Sequence, residues 1–181
     1  MTELRLITEA DAGMVYEFLN ALPEGDRTFF KEDTSAKTVD TWTHDEHNHR
    51  WILIEDGGKP AAMVAVMPGV GWSSHVAELR MVVGSEFRRR GIGRRLARHG
   101  LTEAVRLGQL KIMVEVVADK EGDIEMFTSI GFRPEALLEN QIRDQNGELH
   151  DLVLLSHDVA HVAASMDMLG LDEAVGTGAG T

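Results

Sequence analysis

The chain has 181 residues, 43% of them apolar and 27% charged, with a formal net charge of −12. That size and mixture suit one globular domain with a full hydrophobic core. The acidic balance opposes nucleic-acid binding and favours a neutral or cationic partner, and the absence of cysteine excludes disulfides, thiolate metal sites and a covalent cysteine intermediate. Leu4, Leu6 and Ile7 predict a strand over residues 3–8. Thr8 and Asp11 then open a helix whose apolar stripe is Met14, Val15, Phe18 and Leu19. Pro23 and Gly25 interrupt it, and a weaker helix is expected over 34–46. Residues 51–55 and 61–67 read as two strands around the turn Asp56-Gly57-Gly58-Lys59. Residues 75–83 read as a further strand. A helix follows with Ile92, Leu96, Leu101, Ala104 and Val105 on one face and Gly108 as its stop. The near-continuous apolar run 110–118 predicts a strand covered on both faces. A helix over 121–130 and a hairpin of 135–143 with 149–157 complete the set. The final stretch 158–181 is expected to be a C-terminal helix or flexible tail, rich in small residues after Gly170.

The most informative stretch joins the predicted strand ending at Val83 to the helix beginning near Ile92. Arg88, Arg89 and Arg90 lie in the connection, and Gly91 and Gly93 open the helix. Free backbone N–H groups at a helix start, the dipole behind them and fixed cations nearby suit a phosphate group. A Walker A loop is absent. A dinucleotide fingerprint fits poorly, because Leu96 stands at its third glycine position. A plain glycine turn before a basic, solvated helix start is the simplest alternative. Such a local basic patch on an acidic chain suits a small polyphosphate.

Arg88-x-x-Gly91-x-Gly93 resembles the acetyl-CoA-binding motif of the GNAT superfamily of N-acetyltransferases. The element order, Ala77-Glu78-Leu79, Val83 and Ile130-Gly131-Phe132 also fall in that family's sequence, over residues 3–157. The resemblance implies a mixed α/β fold: a single domain over 1–157 whose central mixed sheet is splayed and flanked by helices. It implies acetyl-CoA as cosubstrate, held by Met81, Val82, Val83, Arg88, Arg89, Arg90, Gly91, Ile92, Gly93 and Arg94. One strand N–H among Met81, Val82 and Val83 would face the thioester carbonyl.

Two carboxylates interrupt apolar strand runs, Glu78 and Glu115. A desolvated carboxylate has a raised pKa and can serve as a base near neutrality. Glu78 stands where some family members place a catalytic glutamate; an ion pair with Arg80, two residues along the strand, is its structural alternative. Many family members also carry a tyrosine four residues before the Gly of the Gly-Phe pair, as acid for the CoA thiolate. Here Phe127 holds that position beside the cofactor, and the only tyrosine is Tyr16. Water or the product's own proton would then serve. An acyl-CoA-binding domain of weak turnover is the rival reading.

Phe29, Phe30 and Trp72 fall in segments that wall the acceptor pocket in this superfamily. His44 and His47 have the spacing of one helix face, but no second ligand set accompanies them, so no metal is expected. The expected activity is direct acetyl transfer to a primary amine of a small molecule or peptide. No nucleic-acid partner is expected. No apolar run is long enough for a membrane span, and the amino terminus lacks the apolar core of a signal peptide, so no membrane partner and a cytoplasmic location are expected. The sequence leaves the oligomeric state open, a homodimer included.

Overall fold

A computed structural model describes residues 2–159. In chain order the elements are β1 (Glu3–Leu6), α1 (Ala12–Asn20), the single turn α2 (Glu24–Arg27), α3 (Ala36–Trp42), β2 (His49–Glu55), β3 (Lys59–Pro68), β4 (Val76–Val83), α4 (Ile92–Arg106), β5 (Lys111–Val117), α5 (Glu121–Thr128), β6 (Arg133–Arg143) and β7 (Leu149–Asp158). The strands form one sheet in the order β1-β2-β3-β4-β5-β7-β6. Every pairing is antiparallel except β4 with β5. The fold is therefore the mixed α/β arrangement expected. The tail from 160 lies outside the described residues.

Alternation along the central strands sets two faces. On β4, Ala77 and Leu79 are buried, and on β5, Ile112, Val114 and Val116 are. These join Leu96, Ala97, Leu101 and Ala104 of α4 in the larger core. Gly100 lets α4 approach β4 closely, since a Cβ there would come within 2.4 Å of Leu79 Cδ1. On the other side, α1 and α3 supply Val15, Phe18, Leu19 and Val39 to a second core with Ile52 and Met63. The hairpin turn closes as the sequence predicts: the Gly147 N–H donates to the Asp144 carbonyl at 3.1 Å, with Gly147 at φ 86°.

The weak helix over 34–46 is shorter than expected. Ser35 caps α3, accepting from the Thr38 N–H at 3.4 Å. Its far end is set by Asp45, whose carboxylate accepts from the His47 and Asn48 N–H groups, each at 3.0 Å, and draws the backbone into a turn. His47 therefore lies beyond the helix, where its ring bonds the Pro68 carbonyl at 2.9 Å. His44 and His47 share no helix face.

Burial raises the Asp45 carboxyl pKa, but hydrogen bonds from Asn48, Arg50 and His47 outweigh it and bring the value down to about 2. A carboxyl lowered on folding stabilises above its unfolded value, about 3.9, and loses that contribution as pH falls through the folded one. Asp45→Asn is therefore expected to melt below wild type at pH 6. The gap should close between about pH 4 and pH 2, as followed by circular dichroism; a gap independent of pH would contradict the assignment.

Candidate active site

β4 and β5 run parallel and pair only through Val76–Lys111, Ala77–Ile112 and Glu78–Met113. Past Glu78, β4 keeps its antiparallel partner β3 through Val83 but has no β5 partner among the described residues. Its alternate N–H and C=O groups over Leu79–Val83 thus face an open edge, where an extended chain can add by backbone hydrogen bonds. β5 turns instead to β7 along its whole length. The sheet is split at its centre, and the split opens toward the ends of β4 and β5.

The glycine motif stands at the mouth of this split. Gly91 is the residue before α4, in the left-handed region at φ 76°, ψ 2°. Arg89 is also left-handed, at φ 57°, an uncommon conformation for a residue with a Cβ. The Arg95 N–H donates to the Gly91 carbonyl at 3.1 Å, so the N–H groups of the preceding helix turn precede the intrahelical ladder. A Cβ on Gly91 would meet nothing within 4 Å, and one on Gly93 would touch Met81 Cε at 3.4 Å. Arg88 ties the loop to the strand end: its Nε donates to the Val83 carbonyl at 3.2 Å, and its Nη2 bonds Asp26 of α2. Arg90 lies over the Phe87 ring, 5.4 Å from its centroid. Arg94 donates to Ser129 Oγ at 2.9 Å. Met81, Val82, Val83, Arg88, Arg89, Arg90, Gly91, Ile92, Gly93 and Arg94 are thereby brought to one end of β4. Free N–H groups, clustered arginines and an open strand edge fit a pyrophosphate followed by an extended amide chain.

Glu78 and Glu115 lie on the sheet face opposite α4, one on each strand at the start of the split. Glu78 makes a two-pronged pair with Arg80, at 2.8 and 2.9 Å. Lys31, from the connection between α2 and α3, places Nζ 3.1 Å from Glu78 and 2.9 Å from Glu115. Burial pushes the Glu78 carboxyl up, but Arg80 and then Lys31 outweigh it and hold it below its ordinary value. The ion pair with Arg80 is thus real, and the raised pKa that would make Glu78 a strong base is absent in this state. The chain of charges continues from Arg80 to Glu32 at 2.9 Å, from Glu32 to Arg50 at 3.0 Å, and from Arg50 to Asp45 at 3.1 Å.

The aromatic candidates separate. Phe29 packs edge-on against His150, with ring centroids 5.5 Å apart. Its segment touches the β6–β7 turn, where the Gln145 N–H donates to Thr28 Oγ1 at 2.8 Å. Phe30 is partly buried against the second core. Trp72 is 96% exposed in the turn between β3 and β4, at the closed end of the split, and the structure does not bring it to the other residues. Phe127 is 3% exposed and packs edge-on on Phe132, with centroids 5.1 Å apart; here its ring belongs to the core. Lys31, Glu32 and Arg50 carry no motif. Arg50 alone gave a local signal, a charge heading the apolar run of β2.

Asp144, Glu148 and His150 bring possible metal-ligand atoms within 4.8 Å of one another. The Asp144 carboxylate is engaged there by the Asn146 and Glu148 N–H groups at 2.9 and 2.8 Å, which accounts for the cluster as a turn. Among the described residues, no helix is long and apolar enough to cross a membrane.

Comparison with known proteins agrees with this geometry. The sequence profile of the acetyltransferase (GNAT) family matches residues 15–132. An uncharacterized N-acetyltransferase of Methanocaldococcus jannaschii is 25% identical over an alignment of 147 residues that covers 77% of this chain. The match spans 64% of that relative's length. A GNAT-family acetyltransferase of Streptococcus pneumoniae superposes with a TM-score of 0.77 at 17% identity, covering 87% of this chain and 99% of the other. A spermidine N-acetyltransferase of Vibrio cholerae, solved with CoA and spermine, gives 0.74 at 16% identity, covering 88% and 96%. The profile runs from within the first helix through the split strands and the glycine motif to the Gly-Phe pair, and the chain belongs to the GNAT acetyltransferase family.

Proposed function

We propose that the protein is an acetyl-CoA-dependent N-acetyltransferase acting on a primary amine of a small molecule or peptide. The observation that carries this reading is the parting of β4 from β5 after Glu78, directly upstream of the Arg88–Gly93 loop. Acetyl-CoA supplies the activated acyl group. The N–H groups from Gly91 to Arg94 and the flanking arginines would hold its pyrophosphate, and the free edge of Met81–Val83 its amide chain. One strand N–H on that edge would donate to the thioester oxygen as it gains charge. Glu78 and Glu115 face the same position from the acceptor side, where they can seat an ammonium and receive its proton. The M. jannaschii relative and the CoA- and spermine-bound neighbour support an amine acceptor.

The test has two parts. Acetyl-CoA should raise the melting temperature, whereas NAD and ATP should not. Free CoA should then be released with at least one amine of a chemically broad panel. Stabilisation by NAD or ATP alone would overturn the reading.

Phe127 makes a further expectation specific. Phe127→Tyr introduces a hydroxyl at a position buried against Phe132. It should cost roughly 1–3 kcal/mol if the hydroxyl finds no partner and change kcat by no more than about threefold, since a thiolate of pKa about 8.5 leaves without a dedicated acid near neutrality. A large gain in kcat would show that the natural chain lacks a needed acid.

A further inference from the structure

Lys31, on the acceptor side, belongs to no motif, yet it links both strands of the split. Its ammonium bridges Glu78 on β4 and Glu115 on β5 at 3.1 and 2.9 Å. Glu78 is the last β4 residue paired with β5, opposite Met113, and Glu115 lies two residues farther along β5. The cation therefore sits where the two strands part. Independent contacts lash its segment across the same opening. Asp26 bonds Arg88 of the glycine loop, Thr28 meets the β6–β7 turn, and Glu32 bonds Arg80 and Arg50.

The charges are unequal. The carboxylates of Glu32, Asp45, Glu78 and Glu115 are linked here to the cations of Lys31, Arg50 and Arg80. The arginines are tied into the sheet and its second core: Arg50 is buried with its guanidinium 4.8 Å over the Trp42 ring. The Lys31 side chain, at 44% exposure on an irregular connection, is the cation free to leave. Its departure leaves two carboxylates astride the split without their bridging cation, and another ammonium would restore that bridge.

Resting on the acetyltransferase reading, we propose that Lys31 is a built-in surrogate for the acceptor. Its ammonium holds, between Glu78 and Glu115, the position that the substrate's ammonium takes, and the acceptors are aliphatic primary amines, cationic at neutral pH, that exchange with it. Acceptor binding and opening of the Lys31 strap are then one event. The apparent acceptor affinity is lowered by the fraction of time that Lys31 is seated.

The test compares wild type, Lys31→Met and Glu115→Gln by CoA release, using an α,ω-diaminoalkane and an arylamine that is uncharged at neutral pH. The diamine should exceed the arylamine by about 10²-fold in kcat/KM, as expected for a desolvated charge pair. Lys31→Met should lower the KM for the diamine about tenfold, with a much smaller change in kcat. Glu115→Gln should raise that KM by about tenfold or more. An arylamine used as well as the diamine, or an unaltered KM in Lys31→Met, overturns the inference and leaves the acetyltransferase reading standing. If no amine releases CoA, that reading falls. Calorimetric titration of the diamine into the CoA-saturated proteins then decides the seat by itself: tighter binding to Lys31→Met supports it, equal binding overturns it. Lys31→Gln provides the same comparison if the methionine variant is unstable.

Discussion

Glu78→Gln is expected to lower kcat/KM for a cationic amine by roughly 10²–10⁴-fold while leaving acetyl-CoA binding nearly intact. Two effects contribute. The amide cannot balance an ammonium at the split, and truncating a partly buried charge pair costs about 2–5 kcal/mol. It also cannot take up a proton, and a positioned acid or base is worth roughly 10²–10⁴. The pH profile divides these contributions. Arg80 and Lys31 hold the Glu78 carboxyl below its ordinary value of 4.5, and an acceptor ammonium in place of Lys31 acts in the same direction. Glu78 therefore stays ionised through neutrality, and any acid limb that it causes lies below about pH 4.5. A carboxylate held that low is a weak base for an alkylammonium, so more of the effect should fall on KM than on kcat. Near-normal kcat and KM together with a lowered melting temperature would mean that Glu78 serves only to anchor Arg80.

Gly91→Val should weaken acetyl-CoA binding well over tenfold, which corresponds to about 1.4 kcal/mol or more. The reason is conformational. Gly91 occupies φ 76° as the residue before α4, and the left-handed region costs an L-residue about 1–2 kcal/mol, more for a β-branched one. A Cβ there would meet nothing within 4 Å, so the substitution reshapes the loop and turns its N–H groups without disturbing the core. The melting temperature without ligand should therefore fall little, while the rise caused by acetyl-CoA should shrink. Unaltered affinity in a folded variant would remove the basis of the cofactor assignment. Arg88→Ala should weaken binding less, and its loss should diminish as salt rises, because Arg88 also bonds Asp26 and the Val83 carbonyl in this state.

Local signals made most of the fold and the cofactor side readable from sequence. Leu96, Leu101 and Ala104 repeat at helical spacing because one face of α4 must be buried. The apolar run over 110–118 marked a strand, but not the cover on both faces expected of it: Ile112, Val114 and Val116 are buried against the α4 side, and the alternating residues are only half-buried. Asp144 to Gly147 spell a turn through their own backbone preferences. Arg88, Gly91 and Gly93 could be recognised because a phosphate-holding loop needs its glycines and cations within a few residues of one another. Glu78 and Glu115 stood out as charges in apolar strands. Of what their charges meet, only Arg80, two residues from Glu78 on the same strand, was legible. Lys31 is 47 residues from Glu78 in the chain and lies in an irregular segment with no periodicity to betray it. Its ammonium, the links onward through Arg80, Glu32 and Arg50, and the lowering of the Glu78 pKa exist only once the sheet has formed and the segment after α2 has folded across it. Phe127 shows the same division: its place before Gly131-Phe132 is written in the sequence, but only packing against Phe132 decided that its ring joins the core. Sequence fixes what depends on neighbours along the chain. Partners across a split sheet depend on strand order, register and twist, and those are properties of the whole fold.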